Sequence, residues 1–243
     1  MMTDPLTPIE LLAACAVMTL GSALQGAVGF GLGLFAVPIL VLIDPSLVPG
    51  TVLFCGLVLT LLMSYRERQA MDVSGLKWGV VGRILGMLVA IVVLTNVPKE
   101  EMTLVFGGLV LFAVALSASG LHVSPTMWTL LSAGALSGFM GTTSSIGGPP
   151  VALLYQNAPG ARLRSTLSGY FVLGTTISLL GLVAAGRFGR YEFWSALAFL
   201  PGVLIGFTLS ARTLPLLDRG HTRAAILTVS ALSSVIVILR ALL

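Results

Sequence analysis

Charged residues are scarce in this chain. They make up 9% of its 243 residues, whereas apolar residues make up 56%. A soluble domain carries about 25% charged residues. The shortage excludes an ordinary soluble domain and predicts an all-α polytopic membrane protein with short loops. The net charge of +4 suits loops that face anionic lipid, and it does not indicate a nucleic-acid partner.

Cysteine, histidine and membrane-embedded acid are nearly absent, which removes most catalytic chemistry. Cys15 and Cys55 lie in apolar runs and predict packing rather than a disulfide framework. The only histidines, His122 and His221, fall in predicted loops, away from any serine that they would activate. No acidic pair and no cluster of metal-ligand residues lies within a predicted span. We therefore expect no catalytic residue, no metal and no cofactor.

Two charge-free runs are too long for a single crossing. They cover the 33 residues from Leu11 to Ile43 and the 39 residues from Val123 to Ala161. A straight helix of the first length would extend about 50 Å, against a hydrocarbon core of about 30 Å. We predict that each run forms a helix–break–helix hairpin with its tip near the membrane midplane. Three spanning helices are expected to follow each hairpin.

The second run carries the clearer break, in which four hydroxyl residues precede glycines and prolines: Thr142, Thr143, Ser144, Ser145, Gly147, Gly148, Pro149 and Pro150. Glycine destabilises a helix by about 1 kcal/mol and proline by about 3 kcal/mol per residue. Non-helical backbone at bilayer depth is tolerated where it is buried in protein or lines a polar cavity. The alternative is a helix kinked by hydroxyls that bond back to its own carbonyls. That alternative explains neither the run length nor the similar pattern in the first run.

The first run contains a similar interruption, with half-helices expected to meet near Gln25–Gly33. The matching glycines of the two halves are Gly26 with Gly138, Gly29 with Gly141, Gly33 with Gly147, and, farther along, Gly82 with Gly202 and Gly86 with Gly206. We interpret Gly82 and Gly86 as a helix-packing face. Paired interruptions in corresponding segments are typical of transporters built from inverted-topology repeats. The sequence thus predicts two such halves in one membrane domain, residues 1–121 and 122–243.

The basic residues favour the hairpin arrangement. If each long run returns to its own side, eight Lys and Arg residues face one side and four the other, whereas single crossings divide them six and six. Positive charge accumulates in cytoplasmic loops. The same arrangement starts the first half outside and the second half inside, as an inverted repeat requires.

The space between the two breaks is the predicted binding site for a small anion. Helix N-termini and hydroxyls offer donors without a fixed counter-charge, which permits release as well as binding. The candidate residues are Gln25, Gly26, Gly29, Gly31, Gly33, Arg83, Thr142, Thr143, Ser144, Ser145, Gly147, Gly148 and Pro149.

Gln25 and Arg83 each have a second interpretation. A lone glutamine within a membrane often joins helices by hydrogen bonding. Arg83 lies five residues beyond Trp78, an interfacial aromatic. Its side chain either snorkels back to the interface or binds an oxoanion with its planar fork. The sequence leaves both questions open.

The chain resembles the sulfite exporter TauE/SafE family, also described as toluene-sulfonate uptake permeases. The resemblance rests on GAVGFGLGLFAVP in the first run, on SGFMGTTSSIGGPPVALLY in the second, and on Pro201 and Gly202 with Gly206 one turn on. It implies a multi-pass bacterial inner-membrane permease for small sulfur-containing anions such as sulfite or organosulfonates. A secondary transporter is therefore expected, with a passive anion channel or a non-transporting membrane scaffold as the alternative. The anion, the direction of transport, the coupling ion and the oligomeric state stay open, and a homodimer is one option.

Overall fold

The chain folds into α-helices throughout the part that the computed structural model describes, which is residues 6–121, 123–217 and 221–242. Side chains are described for the same residues except 99, 100 and 212–226. No strand occurs among these residues. In chain order the helices are α1 (Pro8–Val28), α2 (Leu32–Ile43), α3 (Gly50–Arg66), α4 (Leu76–Asn96), α5 (Lys99–Ala118), α6 (Met127–Ser144), α7 (Gly148–Tyr155), α8 (Gly160–Ala184), α9 (Arg190–Leu217) and α10 (His221–Leu242).

Helix length and composition indicate a multi-pass membrane protein. Within the described residues, five helical segments are long and apolar enough to cross a bilayer: Pro8–Val28, Leu76–Asn96, Glu101–Ala118, Gly160–Ala184 and Arg190–Ala211. Three shorter apolar helices accompany them: Leu32–Ile43, Gly50–Arg66 and Leu227–Leu242. The all-helical architecture predicted from composition is confirmed.

The first helices of the two predicted halves begin in the same way. At the start of α1, the Glu10 amide donates to the Thr7 hydroxyl at 3.3 Å, and the Glu10 carboxylate accepts from the Thr7 amide at 2.9 Å. Thr126 and Thr129 make the corresponding reciprocal pair at the start of α6. Such capping boxes satisfy amide groups that have no partner inside the helix.

Glycine faces allow the closest helix contacts. The most extensive packing joins α4 to α6 and α1 to α9. Gly82 and Gly86 of α4 lie so close to carbonyls of α6 that a Cβ on either would collide with them. Gly202 and Gly206 of α9 lie against carbonyls of α1 in the same manner. Gly82 and Gly86 thus form a packing face, as the sequence predicted, and Gly202 and Gly206 form a second one.

Other pairs of helices pack against each other as well. α2 packs against α10 and α5 against α7, while α3 packs against α9 and α4 against α8. α3 also packs against α8, and α5 against α10. The two shortest helices are enclosed by these neighbours, since most residues of α2 and nearly all residues of α7 are buried. Helix ends at bilayer depth require such cover, because their free backbone groups cannot face lipid.

Several predicted boundaries were wrong. Thr142, Thr143 and Ser144 belong to α6 rather than to the second break. Hydroxyl residues cost a helix at most about 0.7 kcal/mol each, and the Ser144 Oγ donates to the Met140 carbonyl at 2.8 Å. Gln25 and Gly26 likewise lie in the last turns of α1.

Two other predictions concern residues that the structure describes only in part or not at all. His221 begins α10 instead of lying in a loop, and His122 lies outside the described residues. The charge count that predicted an orientation includes four basic residues whose side chains are not described: Lys99, Arg212, Arg219 and Arg223.

Candidate functional site

The first break is short and depends on glycine. α1 ends at Val28, and Gly29 and Gly31 have φ angles of 104° and 132°, which disfavour any residue with a Cβ. The Gln25 Oε1 accepts from the Leu32 amide at 3.1 Å, so the side chain of one half-helix caps the start of the next. Because that amide is a donor, the facing atom of Gln25 is its oxygen, and Nε2 remains a donor.

The second break also begins with a left-handed residue, which here is a serine in place of the first glycine. Ser145 has a φ of 62°, the only positive value among the described residues other than glycine. Its amide donates to the Gly141 carbonyl at 2.9 Å, which closes the last turn of α6. Its hydroxyl donates to the Pro49 carbonyl at 2.9 Å. Gly147 then precedes α7, whose first turn contains Pro149 and Pro150.

The two breaks cross in direct contact. A Cβ on Gly33 would collide with the Ser145 carbonyl, and a Cβ on Gly148 would lie 2.9 Å from the Phe30 Cβ. Each break therefore places a glycine of its second half-helix against the other break. Substitution of either glycine must push the two breaks apart.

A cavity of about 50 Å³ lies at this crossing. That space is sufficient for a few water molecules or a comparably small ion. It is lined by residues of both breaks and of helices α1 to α4 and α6 to α8: Gln25, Phe30, Gly31, Leu32, Gly33, Leu34, Val52, Leu53, Gly56, Thr60, Arg83, Gly141, Ser145, Ile146, Gly147, Gly148, Pro149, Phe171 and Thr175.

Arg83 points into the protein interior, and only 2% of the residue is exposed. Its Nη1 donates to the Ser137 hydroxyl at 3.0 Å and its Nη2 to the Ser178 hydroxyl at 3.4 Å. Its guanidinium carbon lies 5.4 Å from the centre of the Tyr170 ring, within range of a cation–π contact. The Arg83 Nε is buried and has no hydrogen-bond partner among the described residues. The structure does not support the alternative of snorkelling.

Arg83 also has no acidic partner in the part of the chain that the structure describes. The ion pairs found there join Arg66 and Arg164 to Glu67, and Arg162 to Asp72. Hydroxyls solvate the guanidinium, but they do not cancel its charge. The wall of the cavity therefore carries a permanent positive charge.

Ser137 connects the arginine to the second break. Its Oγ accepts from Arg83 and donates to the Gly147 carbonyl at 2.6 Å. One serine thus fixes both the guanidinium and the backbone immediately before α7.

The cavity brings together most of the predicted site residues: Gln25, Gly31, Gly33, Arg83, Ser145, Gly147, Gly148 and Pro149. The other five do not line it. The Gly26 carbonyl accepts from Arg66, Gly29 lies against Arg164, and the Ser144 hydroxyl bonds within α6. The Thr142 hydroxyl pairs with that of Ser178 at 2.7 Å, and the Thr143 hydroxyl has no partner among the described residues.

Sequence reasoning missed several residues of the cavity and its support. Thr60, Phe171 and Thr175 line the cavity, and Ser137 and Ser178 hold Arg83. A signal for some of these exists in α8, where Gly174, Thr175 and Ser178 place small and polar groups on one face of an apolar helix. In the described residues, no group of three His, Cys, Asp or Glu side chains is placed to hold a metal ion.

A family model described as sulfite exporter TauE/SafE matches residues 13–237, which is most of the chain. Neither the comparison with curated proteins nor the comparison with solved structures gave a match.

Proposed function

The chain belongs to the sulfite exporter TauE/SafE family, and on that premise we propose that it is a secondary transporter of the cell inner membrane. Its substrate would be a small sulfur-containing anion, such as sulfite or an organosulfonate. The anion would bind near the membrane midplane in the cavity between the two breaks. The family description supports a membrane exporter of sulfur anions rather than an enzyme.

The observation that carries the proposal is the charge of Arg83. An unpaired buried ion costs several kcal/mol even after the protein relaxes around it. Arg83 is buried, its fork borders the cavity, and no described carboxylate neutralises it. A small anion in the cavity would supply the missing charge. Sulfite and sulfonate oxygens match the planar fork, as carboxylate and phosphate oxygens do.

The first break supplies further donors. The first amide groups of a helix have no intrahelical partner, and Gln25 satisfies that of Leu32. Gly33 and Leu34 also line the cavity, and their amides are the next donors of α2. The second break offers fewer donors, because Pro149 and Pro150 have no amide hydrogen. Gln25, Gly31 and Gly33 are therefore proposed to bind the anion together with Arg83, Ser145, Gly147 and Gly148.

Reciprocal packing supports a structural repeat of residues 1–121 and 122–243, and the loop charges favour an inverted orientation of the two halves. Exchanging α1 to α5 with α6 to α10 in order converts the α1–α9 contact into the α6–α4 contact. The same exchange relates α2–α10 to α5–α7, and α3–α9 to α4–α8. Crossing broken helices at the interface of such repeats are typical of secondary transporters. Half-helix ends and arginines also occur in passive channels, so the dependence of flux on an ion gradient separates the proposed transporter from a channel or a scaffold.

Transport of ³⁵S-sulfite from phospholipid vesicles that contain the purified protein tests the proposal. Arg83→Gln and Arg83→Lys are both expected to reduce flux by at least about tenfold, because a lysine point charge does not replace the bidentate fork. Lys77→Gln removes a charge from an exposed residue of the same helix and is the matched control. Flux in the Arg83 variants equal to that of Lys77→Gln would contradict the proposed site. No flux by the wild-type protein, tested also with organosulfonates, would contradict the function.

A further inference from the structure

A second cavity, which we call the vestibule, opens beyond the first break. It is defined by Tyr65, Arg66, Glu67, Arg68, Gln69, Ala70 and Ala161, and its volume is about 460 Å³. It is thus much wider than the cavity at the crossing. Three of its residues are charged, two of them positive.

Two helices run from the cavity to the vestibule with matched side-chain spacing. On α3, Thr60 lines the cavity and Glu67 follows α3 in the vestibule, with Met63 between them. On α8, Phe171 lines the cavity and Arg164 reaches Glu67, with Leu167 between them. Both sets have the i, i+3, i+7 spacing of one helix face, and α3 packs against α8. Seven residues of helix correspond to about 10 Å.

Buried apolar side chains lie on these faces of α3 and α8, between the residues that line the cavity and those near the vestibule. Met63 and Leu167 are exposed by only 1% and 0%. The backbone of the first break lies alongside, since a Cβ on Gly29 would be 3.2 Å from the Arg164 Cα and 3.6 Å from Leu167. A route along these faces of α3 and α8 would pass Met63 and Leu167, with Gly29 beside Leu167.

The vestibule contains more positive than negative charge. Glu67 accepts from the Arg164 Nε at 2.8 and 3.1 Å, and one of its oxygens lies 3.6 Å from the Arg66 Nη2. Arg68 adds a third cation. Arg66 also donates to the Ser210 hydroxyl at 2.8 Å and to the Gly26 carbonyl, and its buried Nε has no hydrogen-bond partner among the described residues. One carboxylate thus pairs with two guanidinium groups, while Arg68 lies over the Tyr65 ring.

We propose that the vestibule is a second binding site for the transported oxoanion, at the mouth of the route to Arg83, and that Glu67 occupies this site as an internal competitor. The inference rests on the proposed function, because it takes the substrate to be a small anion. Carboxylate and oxoanion oxygens use the same guanidinium donors, so they compete for Arg66 and Arg164. Glu67 is tethered beside both, and its high local concentration weakens the binding of a free anion. Weak binding at the mouth allows the ion to move on.

The test compares KM for ³⁵S-sulfite in vesicles across three single substitutions. Glu67→Gln removes the competitor, and KM is expected to fall about fivefold, the size of one partly exposed ionic contact. Arg164→Gln removes a cation, and KM is expected to rise by about the same factor. Two changes of opposite direction distinguish competition from a structural ion pair, whose loss on either side would impair transport in the same direction.

Asp72→Asn is the matched control. Asp72 forms an ion pair with Arg162, which lies near the start of α8 as Arg164 does, but Asp72 does not line the vestibule. Hydrogen bonds from Ser74 and Arg162 lower the pKa of Asp72 to about 2, so this substitution also removes a full charge at neutral pH. KM is expected to stay unchanged. Each variant is checked for monodisperse purification, and Glu67→Ala, which also removes the competing carboxylate, replaces Glu67→Gln if that variant does not fold.

The outcomes separate this inference from the proposed function. Flux that depends on Arg83 but has the same KM in Glu67→Gln and Asp72→Asn overturns the vestibule site alone. A higher KM in both Glu67→Gln and Arg164→Gln overturns it as well. Absence of sulfur-anion flux in the wild type contradicts the proposed function, whatever the Glu67 variants do.

Discussion

Three glycines form the slot that holds the guanidinium of Arg83. A Cβ on Gly141 would lie 3.0 Å from its Nη2, and one on Gly147 would lie 3.1 Å from its Nη1. A Cβ on Gly174 would collide with its Nε. The arginine is therefore fixed by the shape of the slot as well as by hydrogen bonds from Nη1 and Nη2. A fixed cation allows an anion to bind with little loss of side-chain entropy.

Ser137 is predicted to matter more than Ser144, although both are fully buried on α6. Ser137→Ala removes an acceptor from Arg83 and a donor from the Gly147 carbonyl, which leaves buried groups unsatisfied at a cost of about 1–3 kcal/mol. Ser144→Ala removes only a bond within its own helix. We expect a lower melting temperature and a higher KM for ³⁵S-sulfite in Ser137→Ala than in Ser144→Ala. Equal effects of the two substitutions would contradict this account.

The place of a single residue could be predicted from the sequence where the residue type alone limits the surroundings that it can occupy. Gln25 and Gly33, which line the cavity, were predicted as candidates because a glutamine is rare within an apolar run and because glycine destabilises a helix. The position of Arg83 along its helix gives its depth, but the choice between interface and interior depends on which helices surround it. The partner of Thr142 could not be predicted either, since Ser178 reaches it only through the packing of α8.

At the scale of elements, the two breaks are each only three residues long. They cover residues 29–31 and 145–147, between α1 and α2 and between α6 and α7. Each begins with a residue in the left-handed conformation, Gly29 or Ser145. A left-handed residue costs about 1–2 kcal/mol when it has a Cβ, and the hydrogen bond from Ser145 to Pro49 offsets part of that cost.

Gly148→Leu is predicted to abolish transport while the protein still inserts. The new side chain would meet the Cβ and ring of Phe30 at 2.9–3.3 Å and extend toward the cavity. Gly108→Leu is the control, because Gly108 is exposed on α5 and a Cβ there would meet nothing within 4 Å. ³⁵S-sulfite flux per inserted protein is the measurement. Normal flux in Gly148→Leu would mean that the substrate does not pass between the breaks.

The existence of both breaks could be predicted, but their boundaries could not. Runs of glycine and proline interrupt a helix in any surroundings. Threonine and serine do not, so the extension of α6 through Ser144 depends on burial and on local hydroxyl bonds. The left-handed Ser145 has no sequence signal, because serine rarely adopts that conformation.

For the whole molecule, the ends of the first long run are predicted to face the same side of the membrane, as an inverted repeat with hairpins requires. Single cysteines at Pro8 and Asp44, in a background with Cys15 and Cys55 replaced by alanine, should react with an impermeant thiol reagent from the same side. Labelling from opposite sides would exclude the hairpin for residues 11–43.

Sequence alone could suggest this topology from run length and charge, whereas the reciprocal packing of α1–α9 and α4–α6 required three-dimensional contacts.

If the protein is the secondary transporter proposed above and Arg83 binds its anion, the charge of Arg83 determines where voltage acts in the transport cycle. An empty carrier with this residue moves through the cycle with a charge of +1 at its site, and a monovalent anion makes the loaded site neutral. The membrane potential contributes about 2.3 kcal/mol per elementary charge per 100 mV. For a monovalent substrate, the return of the empty carrier is then the electrogenic step, and the loaded step is electrically silent. A divalent substrate leaves the loaded site with a charge of −1, so voltage acts on both steps with opposite sign.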